Sequence, residues 1–338
     1  MARNEEYIYA GIPTFMGSDF VDTNSPQNDI SSYDVCFLGV PCDYGASYRL
    51  GAKYAPRTLR EYSFWDRIDG YIAYDIDANK ERQVNNLKIV DIGDVNVNPT
   101  DPKANQEAIT KFVRFARDNC FPVVCGGDHS ITYGSFLGVK QSLLSHNSSP
   151  YELGIIHIDA HLDVEEGYLQ MPEVWHGNVF RKLIEDGHLD GKNLFTIGVR
   201  GLTEKKFYDF ETEHKVHVIS SNAVKRNGVQ FVLDEIKRRN ATGQMKYYVS
   251  FDIDSIDMSY VSGTGTPYFN GLSPENVKDL LIGLREFDIC GIDIVELNPQ
   301  IDSSNSSFVI ACELLRQFLS FGSINWFKER GYESSSSI

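Results

Sequence analysis

The stretch His157-Ile158-Asp159-Ala160-His161-Leu162-Asp163 ends an apolar run, LGIIHID, with two carboxylates and an imidazole spaced two residues apart. In an extended strand residues i, i+2 and i+4 share a face, so Asp159, His161 and Asp163 converge on a common point. Without a cation such a cluster would repel itself. The spacing recurs at Asp252 and Asp254 in SFDIDSID, again after an apolar run, and the glycine-led GGDHS at 126–130 adds His129 at another strand end. Taken singly, GGDHS reads equally well as a tight turn and Asp257 as a turn residue. Taken together, the three segments offer six oxygen or nitrogen donors, an inventory that suits a pair of divalent ions. Carboxylates and imidazoles without a thiolate favour manganese-type ions over zinc or iron–sulfur chemistry, with nickel as the alternative.

Some architecture must bring these segments together. Eight short apolar strands (YDVCFLGVP, LKIVDIG, FPVVCGG, LGIIHID, NLFTIGV, VHVIS, MKYYVSFDID and DICGIDIVEL) alternate with helices along nearly the whole chain. The helices are expected from Pro56, over 104–119, from Ser130 to about Leu144, and near 177–187, 203–213, 227–240, 274–287 and 305–322. In the second of them Ile109, Phe112, Val113 and Ala116 make one apolar stripe. Such alternation predicts an α/β fold, a three-layer α/β/α domain with a central eight-stranded parallel sheet, and an eight-stranded barrel is the competing architecture. Both place ligands beyond the carboxyl ends of the strands, where GGDHS, DAHLD, DIDSID and VELNP all fall. The domain is expected over 33–325. Residues 1–32 read as a polar N-terminal arm of the kind that packs on a neighbouring subunit, 66–85 as a surface connection, and 326–338, ending ESSSSI, as a flexible tail.

A formal charge of -15 argues against nucleic acid and anionic membrane surfaces and agrees with a small cationic substrate. The six cysteines form no CxxC pair and several lie in apolar runs, so they read as reduced core residues. MARNEEYIYAG has no apolar signal region and no run is long enough to span a bilayer, which predicts a cytoplasmic protein.

GGDHS, HIDAHLD and SFDIDSID, in this order, resemble the three signature motifs of the ureohydrolase superfamily, which includes arginases, agmatinases and guanidinobutyrases. The likeness extends to GVPCDYGASYRLGAKYAPRTLR, VDIGDVNVNP, WHGNVFRK, TIGVRG and VELNP, and so covers most of the chain. It implies a three-layer α/β fold with a dinuclear manganese centre held by His129, Asp159, His161, Asp163, Asp252 and Asp254, with Asp159 and Asp252 bridging. It also implies a homo-oligomer, a trimer or hexamer, and the hydrolysis of a guanidino compound to urea and an amine by a metal-bridging hydroxide. That chemistry is sound, because resonance makes the guanidinium carbon a poor electrophile and a two-metal centre supplies a nucleophile stronger than water. Asp163 would orient the hydroxide. Glu296, at the end of GIDIVEL, suits bidentate pairing with the planar guanidinium, and the resemblance assigns it that role. His176 in WHGNVF matches the family's histidine near the site mouth and is the candidate to protonate the leaving amine. Trp175, with Tyr168, is the candidate wall of the substrate pocket.

TIGVRG at 196–201 resembles the agmatinase branch, whereas arginases carry an acidic segment there that grips the amino-acid head of arginine. The expected substrates are therefore agmatine, guanidinobutyrate, guanidine or a related small guanidine. In the third motif Met258 and Ser262 stand where the family has prolines, so this loop has a less restricted backbone. The alternative readings are a non-catalytic ureohydrolase-like subunit, and hydrolysis of a formimino or amide group on the same fold.

Overall fold

A computed structural model of the chain describes residues 11–23, 29–65, 72–76, 79–83, 87–146, 152–168, 170–240 and 244–320. In chain order these form β1 (Asp19–Phe20), β2 (Val35–Gly39), α1 (Ala55–Trp65), β3 (Ile72–Asp75), β4 (Lys80–Gln83), β5 (Ile89–Asp94), α2 (Pro102–Asn119), β6 (Phe121–Cys125) and α3 (Ile131–His146). They continue with β7 (Glu152–Ile158), α4 (Val179–Glu185), β8 (Leu194–Val199), α5 (Lys205–Glu213), β9 (His217–Ser220), α6 (Ser221–Arg239), β10 (Met245–Asp252), α7 (Pro274–Leu284), β11 (Asp288–Val295) and α8 (Ser306–Ser320). The main sheet runs β1-β5-β2-β6-β11-β10-β7-β8-β9, with every neighbouring pair parallel.

Alternate strand residues point to opposite faces, and each face has its own core. Val35, Phe37, Val123, Ile156, Val249 and Ile292 meet α1, α6, α7 and α8. Cys36, Leu38, Val124, Ile155 and Tyr248 meet α2, α3, α4 and α5. Burial on both faces explains why the strands read as unbroken apolar runs. The architecture is thus the expected three-layer α/β/α, not a barrel. Local signals set the helix starts: Asp101 accepts from the Ala104 amide with Pro102 following it, and Ser273 accepts from the Asn276 amide with Pro274 following it.

Three boundaries differ from the sequence reading. The sheet has nine strands because part of the expected arm joins it: Asp19 and Phe20 pair with Val90 and Asp91, and Phe15, fully buried, stacks on Phe37 with ring centroids 4.2 Å apart. A two-residue strand is too short to show a period. The expected surface connection at 66–85 contains the antiparallel ribbon β3–β4. Helix α6 starts at Ser221, capped by Ser220, and breaks at Gly228, where φ is 81°; that break hides its first two turns from a search for one continuous stripe. The expected tail at 326–338 lies outside the described residues.

In the sheet order β6, β11, β10 and β7 are consecutive neighbours, although they come from widely separated parts of the chain. Their carboxyl ends carry GGDHS, Glu296, Asp252 and Asp159, so all four chemically loaded segments meet over the centre of the sheet.

Candidate active site

The GGDHS turn is shaped by a close approach. A Cβ on Gly127 would lie 1.6 Å from the Cys42 carbonyl oxygen, so only glycine lets the loop after β2 lie against it. His129 follows and points Nδ1 into a ring of carboxylates, 2.9 Å from Asp163 Oδ2, 3.1 Å from Asp159 Oδ2 and 3.4 Å from Asp252 Oδ2. On its other side Nε2 lies 2.8 Å from Ser250 Oγ. Ser250 donates to Asp293 at 2.8 Å, and Asp293 also accepts from Thr132 at 2.8 Å and Tyr248 at 3.0 Å. With its proton given to Asp293, Ser250 accepts from His129 Nε2–H, which leaves Nδ1 as a bare lone pair. That Nδ1 is buried and has no hydrogen-bond partner. Burial opposes charge on His129, yet Asp159, Asp163 and Asp252 outweigh it and raise its pKa well above the usual imidazole value. A positive charge, proton or metal, belongs at this atom.

A second donor group shares Asp159. His161 Nδ1 is 3.3 Å from Asp159 Oδ1 and 3.1 Å from Asp254 Oδ2. The metal-competent groupings are therefore His129, His157, Asp159 and Asp163 on one side and Asp159, His161 and Asp254 on the other. Asp159 belongs to both, as a bridging carboxylate must. Asp252, the other expected bridge, is in neither grouping: its Oδ2 faces His129 at 3.4 Å and its Oδ1 takes the Asp254 amide at 2.7 Å, which sets it on the His129 side. Burial, then repulsion from Asp254 and Asp159, pushes Asp252 well above the usual carboxylate range, and burial raises Asp254 too. Asp159 goes the other way: burial would raise it, but His157, His129 and His161 hold it well below. A thiol-free set of buried carboxylates that repel one another around an unpartnered imidazole nitrogen fits two divalent cations.

The structure brings together all six expected donors and adds His157, whose Nε2 lies 2.8 Å from Asp159 Oδ2. Its place two residues before Asp159, on the same face of β7, was the available signal. Asp163 and Glu296 both hold left-handed backbone, with φ of 52° and 65°. For non-glycine residues this costs of order 1–3 kcal/mol each, and it is a common mark of functional positions.

Glu296 is buried and uses Oε1 twice, accepting from the His129 amide at 2.9 Å and from His176 Nδ1 at 3.0 Å. Among the described residues Oε2 takes no hydrogen bond, so it is the oxygen open to a guanidinium. The His176 ring is held at its other end by Ser47, whose amide donates to Nε2 at 3.1 Å and whose Oγ is 2.8 Å from it. Trp175 is buried and backs His176 at 5.4 Å and Tyr168 at 5.3 Å between centroids. It therefore stands behind His176, while Tyr168 is exposed and donates to Glu165.

Arg200, in TIGVRG, has a structural part that composition and spacing do not reveal. Its guanidinium donates to the carbonyls of Gly198, Asp254, Ser255, Ile256, Tyr268 and Phe269 at 2.7–3.4 Å. One side chain thereby ties the end of β8 to both ends of the loop that carries Met258 and Ser262. This supplies a restraint where the prolines are missing. A cavity of about 770 Å³, lined by residues such as Gln106, Tyr133 and Val174, contains none of these donors. The site is recognised by its chemistry, not its volume.

An all-parallel sheet between two helical layers, carrying a buried Asp/His cluster across its central strand ends, defines the chain as a three-layer α/β protein with a candidate dinuclear metal site. The chain belongs to the arginase family, whose model matches residues 33–320. It is 32% identical over 298 residues to the mitochondrial guanidino acid hydrolase of Homo sapiens, covering 87% of this chain and 79% of that protein. It is 31% identical over 317 residues to the guanidinopropionase of Pseudomonas aeruginosa, covering 92% of each. Among solved structures, the proclavaminate amidino hydrolase of Streptomyces clavuligerus superposes with a TM-score of 0.79 at 28% identity, over 93% of this chain and 98% of that one.

Proposed function

We propose that the protein is a metal-dependent hydrolase that cleaves a small guanidino compound to urea and an amine. The observation that carries this reading is the placement of Glu296. Its unengaged Oε2 shares a buried site with two donor groups joined through Asp159, so a planar cation and two metal ions have adjoining places. The relatives named for guanidino acids and guanidinopropionate support the substrate class. His129, Asp163 and Asp252 would hold one ion, His161 and Asp254 the other, and Asp159 both, with His157 fixing the Asp159 carboxylate. When bound, such a pair lowers the pKa of a water and holds it for attack on carbon. Manganese is the first choice and nickel the second, on donor type.

The chain's own residues do the rest. Glu296 Oε2 accepts guanidinium N–H and fixes the plane of the substrate. His176, with Nδ1–H tied to Glu296, supplies the proton needed when the carbon–nitrogen bond breaks. Trp175 backs His176 against water. No helix among the described residues is long and apolar enough to cross a membrane, and we place the protein in the cytoplasm as a homo-oligomer. The decisive experiment loads the purified chain with manganese or nickel, counts ions by elemental analysis and assays urea release from agmatine, guanidinobutyrate, guanidinopropionate and guanidine. Two ions per chain and urea from at least one compound are expected. Bound metal with no urea from any compound would remove the reading.

A further inference from the structure

We propose that the Ser47 hydroxyl is the group through which His176 passes its proton to the leaving nitrogen, an inference that rests on the hydrolase reading above. The geometry leaves His176 no free nitrogen. Its Nδ1 is 3.0 Å from Glu296 Oε1, and its Nε2 is 3.1 Å from the Ser47 amide nitrogen and 2.8 Å from Ser47 Oγ. The Ser47 amide can only donate, so in the resting ring Nε2 is the acceptor and Nδ1 carries the hydrogen, which Glu296 receives. The imidazole is buried, whereas Ser47 is exposed. The hydroxyl is therefore the ring's hydrogen-bonding side-chain partner on a solvent-exposed residue, whereas Glu296 is buried.

The contact is built, not incidental. The His176 amide donates to Gly45 O at 3.1 Å, and the Gly45 amide donates to Asp128 Oδ2 at 2.8 Å, which pins the 45–47 turn to GGDHS. A Cβ at Gly45 would meet Asp128 Oδ1 and Ser130 Oγ at 2.8 Å, so the turn has little room to shift. The charged groups facing His176 are Glu296, Asp128, Asp163 and Glu165. Burial lowers the proton affinity of the ring, but Glu296 first, then Asp128 and Asp163, reverse this and bring it to about 9. Once Nε2 is protonated its hydrogen lies fixed in the ring plane and the amide has lost its acceptor, so Ser47 Oγ, 2.8 Å away, accepts and the serine O–H points away from the ring.

The relay balances. As the carbon–nitrogen bond breaks, its electron pair passes to the leaving nitrogen, which takes the Ser47 proton. Ser47 Oγ takes the Nε2 proton, and His176 returns to its neutral Nδ1–H form. One water is consumed: the proton it loses on becoming hydroxide goes to solvent and is matched by the one that recharges His176 Nε2, its oxygen stays on carbon in urea, and its second hydrogen passes to the amine, so the amine gains two hydrogens in all.

The test compares wild type with Ser47→Ala and Ser47→Thr, each as the full chain loaded with manganese, using urea release from guanidinobutyrate and agmatine between pH 6 and 10. Ser47→Ala should lower kcat by about 100-fold, the scale of general acid catalysis, with KM and metal content unchanged. Its pH limb for His176 should move to lower pH, because the imidazolium has lost an acceptor. Ser47→Thr should restore most of kcat. A wild type that releases no urea overturns the hydrolase reading and the relay together; an active wild type with an equally active Ser47→Ala overturns the relay alone. Nitrogen-15 spectra of histidine in the diamagnetic zinc-loaded protein give a readout independent of turnover. They should show His176 as the Nδ1–H tautomer with a lower midpoint in Ser47→Ala, and an Nε2–H tautomer or equal midpoints would refute the proposal.

Discussion

Replacing Ser250 with alanine should weaken metal binding while leaving the fold standing. Ser250 Oγ contacts the ring nitrogen of His129 that faces away from the carboxylates, not the donor atom itself. It joins His129 Nε2 at 2.8 Å to Asp293 at 2.8 Å, and so decides which nitrogen of His129 is bare. Alanine leaves a buried N–H without an acceptor, which costs about 1–3 kcal/mol. At about 1.4 kcal/mol per tenfold change, this corresponds to roughly 10–100-fold in affinity, the usual scale for groups that orient a ligating histidine. Asp293 keeps Thr132 and Tyr248, so the buried carboxyl is not abandoned. The assay is manganese competition with a chelator, alongside urea denaturation of the metal-free chain. Tyr248→Phe is the control, since it removes another hydroxyl from Asp293 without reaching His129 and should leave affinity unchanged. Affinity within twofold of wild type in Ser250→Ala would refute the orienting role. Equal losses in Ser250→Ala and Tyr248→Phe would show that Asp293 acts on the sheet and not on the ligand.

Further outcomes are expected of the same site. Asp159→Asn removes the carboxylate common to both donor groups, and elemental analysis should find fewer than one ion per chain where two are expected of wild type. Arg200→Lys keeps the charge but loses the guanidinium fork. Several of its six carbonyl contacts would go unmet, and denaturation should show a loss of about 2–4 kcal/mol. Metal affinity should fall with falling pH. His129 and His161 are raised by their carboxylate partners against burial, and Asp252 and Asp254 by burial and repulsion, so the free site binds protons more tightly than isolated side chains would and a metal competes with them. Calorimetric titrations should therefore show weaker binding at pH 6 than at pH 8, by about tenfold per pH unit for each proton released, and a pH-independent affinity would contradict these proton affinities. Arg60 on α1 pairs with buried Asp91 at 2.7 Å and with exposed Asp94 at 2.7 Å, both on β5. Arg60→Met should destabilise the chain by about 3–5 kcal/mol by leaving Asp91 uncompensated, and a change below about 1 kcal/mol would contradict that.

The sequence by itself determined eight of the nine strands of the main sheet, the helices apart from the first two turns of α6, and the ends at which chemistry would sit, because these depend on short-range periods. An apolar run buried on both faces marks a central parallel strand. The two-residue spacing singled out Asp159, His161 and Asp163, but β7 ends at Ile158 and Asp163 holds a φ of 52°, so loop geometry and not a strand period gathers them. The six candidate donors were legible as residue types at strand ends. Only the tertiary structure decided that β6, β11, β10 and β7 lie side by side, since strand order depends on which crossovers pack and no local pattern records it. The partners that tune the donors are hidden for the same reason. Ser250 reaches His129 across 121 residues and Ser47 reaches His176 across 129, and Arg200 spends its charge on backbone carbonyls, which look alike in every sequence. Hydrogen bonds of this kind are directional and long-range, so they exist only once packing has fixed both ends.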